Sequence, residues 1–206
     1  MSPLGTGRSP GGNHSTERKH IFLVGQKHAG KTSLGSGLAE RWGITFLDLD
    51  DLIVELANVD HSVAAEDARA VYRRHGAEGF RGYEAQAAEN LSRRLGYAPT
   101  TICSLGGGTV GNDRAFAALE AHGIFVYLYV EMNELYRRIS QTGRPAFLSS
   151  NDPKEEFMRI AAQRDKLYRA RADLVVDLDA LDQTAALDTL DQHLQHYLQE
   201  HHIGRQ

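Results

Sequence analysis

The stretch "FLVGQKHAGKTS", from Phe22 to Ser33, decides the fold of this chain. An apolar run ends at Gly25, and a short polar loop follows it. A second glycine, Gly30, then precedes a lysine and two hydroxyl side chains. This spacing matches G-x-x-x-x-G-K-[ST], the phosphate-binding loop that lies between a strand and a helix. We therefore expect a buried strand before the loop and a helix after it.

The residue types of this loop suit a nucleotide polyphosphate. Backbone N–H groups of the loop and of the following helix N-terminus converge on phosphate oxygens. Lys31 can reach the β- and γ-phosphates, and the Thr32 hydroxyl can bind Mg²⁺. The glycines permit the backbone angles and the close approach that a phosphate requires. The sequence therefore predicts nucleotide binding by Gly25, Gly30, Lys31, Thr32 and Ser33.

Apolar runs of strand length alternate with helix-length segments along the chain. This alternation predicts an α/β fold of three layers, α/β/α, with one parallel sheet between the helices. The five predicted strands are Ile21–Gly25, Ile44–Asp50, Thr100–Gly108, Gly123–Val130 and Asp173–Leu178. The predicted helices cover Lys31–Trp42, about 51–95 with a break near Gly76 to Gly79, two segments between the last two strands, and Gln183 to about His201.

The composition fits one compact domain. The chain has 206 residues, 41% hydrophobic content, a formal net charge of −4 and a sequence pI of about 6.2. These values suit a single α/β domain and give no basic field for binding nucleic acid. Residues 1–18 are rich in Gly, Ser and Pro, so we predict a disordered tail there and a single domain over 19–206.

The cysteine content and the apolar runs indicate a location. Cys103 is the single cysteine, so no intrachain disulfide can form, which fits a reducing compartment. No apolar run approaches the roughly 20 residues of a membrane helix, and the N-terminus lacks the apolar middle of a signal peptide. We expect a cytoplasmic monomer that binds no nucleic acid and no membrane.

Two carboxylates follow the second predicted strand, in "FLDLD". In an open α/β sheet, ligands lie beyond the carboxyl ends of the strands, so Asp48 and Asp50 should meet Gly106–Gly108 near the phosphate loop. The period of two along a strand places both carboxylates on the same side. One can hold a metal-bound water and the other a substrate hydroxyl. The alternative is that Asp50 or Asp51 caps the helix that follows.

Three further motifs contain arginines, and each is weak alone. "GFRGYE" places Arg81 and Glu84 three residues apart on one helix face, where a surface salt bridge is the plain alternative. Arg144 lies in a polar loop, and Arg164 lies in "QRDKLYRARAD". An arginine at any of these positions can bind an anionic group.

Taken together and in this order, the motifs resemble those of the shikimate kinase family. The resemblance covers roughly Lys19 to Leu198 and rests on "GQKHAGKT", "FLDLD", "GFRGYE", "SLGGGTV", "GRP" and "RDKLY". The combination of D-x-D, F-R-x-x-E and S-x-G-G-G is far more specific than the phosphate loop alone. The resemblance implies a fold like that of nucleoside-monophosphate kinases, with substrate-binding helices at about 51–95 and a mobile lid at about 140–153. It also implies transfer of the γ-phosphoryl group of ATP to the 3-hydroxyl of shikimate.

The resemblance implies roles for residues in the phosphate half of the site. The implied catalytic residues are Lys31, Asp50 as the base, and Arg144 on the lid. The implied Mg²⁺-binding residues are Thr32, Asp48 and Ser104. The implied nucleotide-binding residues are Gly25, Gly30, Lys31, Thr32, Ser33, Arg137 and Arg138, with one of the last two covering the adenine.

The acid substrate is implied to bind through a second set of residues. Arginines grip its carboxylate, and Asp50 accepts hydrogen bonds from its hydroxyls. The implied substrate-binding residues are Asp50, Arg81, Glu84, Gly107, Gly108 and Arg164, with Phe80 and Tyr72 as walls of the pocket.

The chain departs from the family pattern in one segment. The interval from Asp50 to Arg81 spans 31 positions, several more than the family usually has, and the extra residues fall within Asn58 to Ala70. Because this segment belongs to the substrate-binding helices, one alternative is that the chain phosphorylates a different small hydroxylated acid. A second alternative is an inactive relative that binds shikimate without turnover, which the presence of all the residues that the chemistry needs disfavours.

Overall fold

The structure, a computed structural model, describes residues 19–59, 64–142 and 151–203. Its five strands are β1 (His20–Val24), β2 (Thr45–Asp48), β3 (Thr101–Ser104), β4 (Gly123–Tyr129) and β5 (Leu174–Asp177). Its helices are α1 (Lys31–Trp42), α2 (Leu49–Val59), α3 (Ala68–Leu95), α4 (Asp113–Leu119), α5 (Met132–Thr142), α6 (Pro153–Arg171) and α7 (Gln183–Glu200), and a short 3₁₀ helix covers Thr109–Gly111. Within this part of the chain, no helix has the length and apolarity needed to cross a bilayer.

The strands form one parallel sheet in the order β2-β3-β1-β4-β5. The central strand β1 pairs with β3 on one side and with β4 on the other, so Leu23 is in register with both Ser104 and Val126. The prediction of a five-stranded parallel sheet is confirmed. The first predicted strand has the length of β1 and is shifted by one residue, and the other four were one to five residues longer than the observed strands. The largest excess lies after β2 and β3, where the acids and glycines at the carboxyl ends belong to a helix start and a loop.

Helices cover both faces of the sheet, as the three-layer prediction requires. Ile21 and Leu23 of β1 belong to the core that packs against α1, α5, α6 and α7. Phe22 and Val24 belong to the core on the other face, which packs against α2, α3 and α4. Alternate residues of β1 therefore belong to the two different cores, as expected because successive side chains of a strand point to opposite faces of the sheet. Cys103 is a buried member of the second core.

The region after β2 corrects one prediction. β2 ends at Asp48 and α2 begins at Leu49, so Asp50 lies in the first turn of a helix and not in an extended strand. The period-two argument for the two carboxylates was therefore wrong. Asp48 Oδ1 accepts a hydrogen bond from the backbone N–H of Asp50 at 3.0 Å. The contact satisfies one of the backbone N–H groups that have no partner within the first turn of a helix. Asp48, and not Asp50 or Asp51, therefore caps α2.

The long helical region after Asp50 is divided into α2 and α3. Inside α3, Gly76 has φ 68° and ψ −174°, which interrupts the helical geometry. The predicted break near Gly76 to Gly79 is thus confirmed. The left-handed φ favours glycine, because side chains clash there. Part of the segment that carries the extra residues, 60–63, lies outside the described residues.

His20, the first residue of β1, is only 2% exposed. Its Nε2 donates to the carbonyl oxygen of Leu95 at 3.0 Å, while Nδ1 has no hydrogen-bond partner among the residues that the structure describes. Burial lowers the pKa of His20 from 6.5 to about 4. The unfolded chain therefore binds a proton near pH 6.5, whereas the folded protein does so only near pH 4. Stability is lost as the pH falls through this window.

We expect His20→Gln to reduce this loss, because a glutamine amide can donate to Leu95 but binds no proton. From this group alone, the free energy of unfolding of the wild type should fall by about 1–3 kcal/mol across the window, and the variant should lack that part. Urea unfolding at about pH 4.5 and about pH 7 measures the difference. His196→Gln, at an exposed position on α7, is the matched control. The same pH dependence in wild type and His20→Gln would contradict the prediction.

Candidate active site

The phosphate loop joins the carboxyl end of β1 to the start of α1. Gly25 and Gly30 have φ values of 150° and 89°. A Cβ added at Gly25 would lie 2.8 Å from the carbonyl oxygen of Leu128, so this position requires glycine on packing grounds as well. Because α1 begins at Lys31, the unpaired N–H groups of its first turn lie at the loop. Backbone donors in this arrangement form an anion-binding site.

Lys31 is buried and turns back onto the loop. Its Nζ donates to the carbonyl oxygens of Gly25 at 3.0 Å and Gln26 at 2.9 Å. Burial lowers the pKa of Lys31 to about 8, and the carboxylates of Asp50 and Asp48 offset part of that shift. A phosphate anion beside this ammonium would favour its charged form.

Two oxygen groups converge beside the start of α1. The Thr32 hydroxyl donates to Asp48 Oδ2 at 2.7 Å. Ser104, at the end of β3, is in register with Asp48 on the neighbouring strand. No group of three or more His, Cys, Asp or Glu able to hold a metal occurs among the described residues. The hydroxyl and carboxylate oxygens nevertheless fit Mg²⁺, which binds few protein oxygens and keeps waters and substrate phosphates as its other ligands.

The Asp50 carboxylate faces the glycine segment after β3. A Cβ added at Gly106 would lie 3.0 Å from Asp50 Oδ1 and 3.5 Å from Glu84 Oε1, so the backbone approaches both acids closely. Burial and, to a smaller extent, the neighbouring Asp48 raise the pKa of Asp50 to about 6 against the opposing effect of Lys31. Asp50 is therefore ionised at neutral pH and still basic enough to accept a proton.

Glu84 fixes the glycine segment to α3. Its Oε1 accepts a hydrogen bond from the Thr109 hydroxyl at 2.6 Å, and its Oε2 accepts one from Asn112 Nδ2 at 2.8 Å. The same Asn112 nitrogen donates to the carbonyl oxygen of Arg81 at 2.9 Å. Burial raises the pKa of Glu84, while the two hydrogen bonds and the nearby Arg81 and Arg164 lower it in part. The surface salt bridge considered for Arg81 and Glu84 is not the arrangement that the structure has, because Glu84 is buried.

Both predicted carboxylate-binding arginines lie along the same segment. A Cβ added at Gly108 would lie 3.6 Å from Arg164 Nη2, and one added at Gly111 would lie 3.5 Å from Arg81 Nη2. Arg81 is exposed on α3 and Arg164 is half-buried on α6, so the two reach the segment from different helices. The structure therefore brings together Asp50, Glu84, Arg81 and Arg164, which are up to 114 positions apart in the sequence.

The two aromatic residues predicted as pocket walls lie together on α3. The ring centroids of Tyr72 and Phe80 are 5.7 Å apart in an edge-to-face arrangement, and both side chains are half-buried. Gly76 lies between them in the sequence, so the interruption in α3 is part of what brings the two rings together.

The structure distinguishes the two arginines on α5. Arg138 Nη1 donates to the carbonyl oxygen of His28 at 3.2 Å and its Nε donates to Glu134. Arg138 therefore contacts the phosphate loop. Arg137 pairs with Glu134 at the exposed surface. Arg144 lies outside the described residues, as does most of the predicted lid.

Three residues of the site were missed by the sequence reasoning. Thr109 and Asn112 hold Glu84, and the hydroxyl of Tyr168 donates to the carbonyl oxygen of Gly107 at 2.6 Å. Polar residues directly after the three glycines, in "GGGTVGN", were the available signal for the first two. Tyr168 stood in the quoted motif "RDKLY", but its partner lies 61 positions away.

A phosphate loop beside buried acids and paired arginines, at the carboxyl edge of a five-stranded parallel sheet, defines a P-loop kinase of the nucleoside-monophosphate-kinase-like class. The sequence model of the family described as "Shikimate kinase" matches residues 27–198. The chain belongs to the shikimate kinase family.

Known relatives agree with this assignment. The chain is 33% identical over 177 residues to a shikimate kinase of Bordetella avium, covering 86% of this chain and 79% of the relative. It is 34% identical over 172 residues to one of Stenotrophomonas maltophilia, covering 82% and 89%. A solved structure of shikimate kinase from Acinetobacter baumannii in complex with shikimate matches with a TM-score of 0.71 and 31% identity, covering 88% of this chain and 94% of that chain. The enzyme from Bacteroides thetaiotaomicron, at 23% identity and a TM-score of 0.69 over 87% and 98% of the two chains, shows the same fold.

We expect Asp50→Asn to stabilise the protein at alkaline pH. The pKa of this carboxyl is 3.8 unfolded and about 6 folded, so the folded state loses stability as the pH rises between these values. The neutral amide has no such penalty and should be about 1–3 kcal/mol more stable than wild type at about pH 8. The gain should disappear near pH 3.5, as urea unfolding in EDTA would measure.

Asp51→Asn is the matched control for this variant. Asp51 is the exposed neighbour on α2, so its replacement should change stability by about 0.5 kcal/mol or less. If Asp50→Asn is no more stable than wild type at about pH 8, burial does not destabilise the ionised Asp50 carboxylate in the folded protein.

Proposed function

We propose that this chain transfers the γ-phosphoryl group of ATP to the 3-hydroxyl of shikimate, giving shikimate 3-phosphate and ADP. Membership of the shikimate kinase family supports the proposal, as does the likeness to a structure that holds shikimate. In addition, the predicted site residues Asp48, Asp50, Glu84, Arg81 and Arg164 lie near the phosphate loop or the glycine segment at the carboxyl edge of the sheet.

The observation that carries the proposal is the position of the glycine segment Gly106–Gly111. On one side it lies against the phosphate loop, since a Cβ at Gly107 would be 3.3 Å from the backbone nitrogen of Lys27. On its other sides lie two carboxylates and two guanidinium groups. A small acid bound against this segment would therefore be next to the bound nucleotide. Phosphoryl transfer depends mainly on this kind of positioning and on charge stabilisation.

The acid substrate would be bound by Arg81 and Arg164. A guanidinium group can pair with a carboxylate through two parallel hydrogen bonds, so two arginines orient a planar carboxylate firmly. Glu84, with both oxygens occupied, would hold the segment and the arginines in place without contacting the substrate carboxylate. Tyr72 and Phe80 would form the apolar wall.

The nucleotide phosphates would bind to the loop backbone, Lys31 and the residues after it. On binding, the ammonium of Lys31 would exchange its two carbonyl partners for phosphate oxygens, which favours its protonated form. Thr32 and Asp48, with Ser104 beside them, would hold Mg²⁺. When bound, the metal ion neutralises phosphate charge. Arg138, through its contact with the loop, is the better candidate for covering the adenine than Arg137.

Asp50 is the proposed base. Its pKa of about 6 leaves it ionised at the pH of the cytoplasm, which is where we expect this ATP-dependent enzyme to act. The carboxylate would accept the proton of the substrate 3-hydroxyl as that oxygen attacks the γ-phosphorus, while the bond from the γ-phosphorus to the bridging oxygen of ADP breaks. Arg144 on the lid, about 140–153, would stabilise the transferring group. We also propose that the protein acts as a monomer, since the described groups of the proposed site all come from one chain.

A second candidate function is phosphorylation of a different small hydroxylated acid. The specific observation that favours it is the long interval between Asp50 and Arg81. In this proposal, residues of that interval would line the acceptor side of the site and change which hydroxyls are accepted. The chemistry of phosphoryl transfer would be the same.

The test is an ADP-release assay with MgATP and shikimate, with quinate and gluconate assayed in parallel. We expect turnover on shikimate and little on the other two acids. Lys31→Ala should abolish turnover, since it removes the charge that binds the β- and γ-phosphates. Turnover on quinate or gluconate alone would favour the second candidate. Shikimate binding without ADP release would favour an inactive relative.

Arg81→Ala and Arg164→Ala should each weaken shikimate binding by about 2–5 kcal/mol, because each removes a charge-assisted contact in a partly desolvated site. Calorimetric titration of shikimate into each variant measures the loss. Arg114→Ala is the control, because Arg114 pairs with Glu89 at the surface and should leave binding unchanged. A Kd within twofold of wild type in both site variants would show that the carboxylate binds elsewhere.

A further inference from the structure

The segment "GGG", Gly106 to Gly108, lacks any side chain that could restrict its backbone. Three consecutive glycines have the widest choice of backbone angles of any tripeptide, so outside contacts must select one conformation. Two of their carbonyl oxygens bond locally: Gly106 accepts from the N–H of Thr109 at 3.0 Å, and Gly108 accepts from the N–H of Gly111 at 2.9 Å. The Gly107 carbonyl oxygen points out of the segment instead and accepts from the Tyr168 hydroxyl at 2.6 Å.

Tyr168 is held rigidly enough to act as a fixed donor. It is fully buried on α6, and its ring stacks on that of Tyr127 with centroids 4.7 Å apart. The Tyr127 hydroxyl in turn donates to Asp165 on the same helix at 2.8 Å. The position of the Tyr168 hydroxyl is therefore set by the sheet and the helix together.

Tyr168 also shares a face of α6 with Arg164, one of the two arginines proposed to bind the substrate carboxylate. Arg164 precedes it by four positions, the spacing that places two side chains on one face of a helix. Arg164 Nη2 lies 3.6 Å from the Cβ position of Gly108, and the Tyr168 hydroxyl binds the adjacent Gly107. One helix face thus carries both a substrate-binding charge and the hydrogen bond that fixes the peptide beside it.

We propose that Tyr168 is a positioning residue for the acid substrate, acting through the Gly107 carbonyl oxygen to hold the Gly107–Gly108 peptide in register with Arg164. The inference rests on the proposed function. Without the hydroxyl, the peptide between two glycines is free to rotate, and the backbone wall of the acid site loses its single geometry. The nucleotide site depends on this bond less, because the phosphate loop is fixed at its two ends by β1 and α1.

The test compares Tyr168→Phe with Tyr127→Phe in the full chain. Tyr168→Phe keeps the stacked ring and removes one hydrogen bond, so the KM for shikimate should rise about 3- to 10-fold while the KM for ATP changes less than about 2-fold. Tyr127→Phe removes a buried hydroxyl that bonds the same helix without contacting the glycine segment. It should leave the ratio of the two KM values at its wild-type value.

The outcomes separate this inference from the proposed function. Failure of the wild type to phosphorylate shikimate would overturn the function itself. With an active wild type, an unchanged KM for shikimate in Tyr168→Phe would overturn the positioning role. Equal rises in both KM values, or the same change in Tyr127→Phe, would show that the hydroxyl only stabilises α6. Thermal unfolding checks that neither variant is misfolded. We expect the Tm of each to be lower than that of the wild type by a similar few degrees.

Discussion

The pairing of β1 with β3 and β4 is the interaction on which the site depends. Because all three strands are parallel and in register, their carboxyl ends lie at one edge of the sheet. The phosphate loop follows β1, and the glycine segment follows β3. A slip of β3 by one residue would exchange its two faces and move Ser104 away from Asp48. The backbone ladder therefore sets the geometry that the side chains then use.

The site holds three ionisable groups whose charged forms are destabilised by burial. Burial lowers the pKa of Lys31 and raises the pKa values of Asp50 and Glu84, so the charged form of each group is penalised. Glu84 is compensated by two side-chain hydrogen bonds, whereas the two hydrogen bonds of Lys31 go to the neutral carbonyl oxygens of Gly25 and Gln26. This difference fits their proposed roles, since a structural acid needs permanent partners and a phosphate ligand must exchange them.

The sequence was sufficient wherever the determining contacts are local. The phosphate-loop pattern predicted α1 to the residue, and the alternation of apolar runs predicted the sheet. Asp50 was misplaced because a strand and the first turn of a helix both fit "FLDLD", and Asp48 decides between them by binding the Asp50 N–H. The contact of Tyr168 with Gly107 was out of reach, because its partners meet only when α6 packs on the sheet edge.

Gly107 has a consequence for how such enzymes can diversify. Gly107 lies between the phosphate loop on one side and the Tyr168 hydroxyl on the other. In the proposed function, this one residue of backbone would set how far the bound acid lies from the phosphate loop. That spacing would be a property of the main chain, so replacing side chains around the acid would leave it intact. In the proposed function, substitutions around the acid would therefore change which acceptor binds and leave its distance from the nucleotide unchanged. In the proposed function, side chains would determine the choice of acceptor, and the main chain would determine its spacing from the nucleotide.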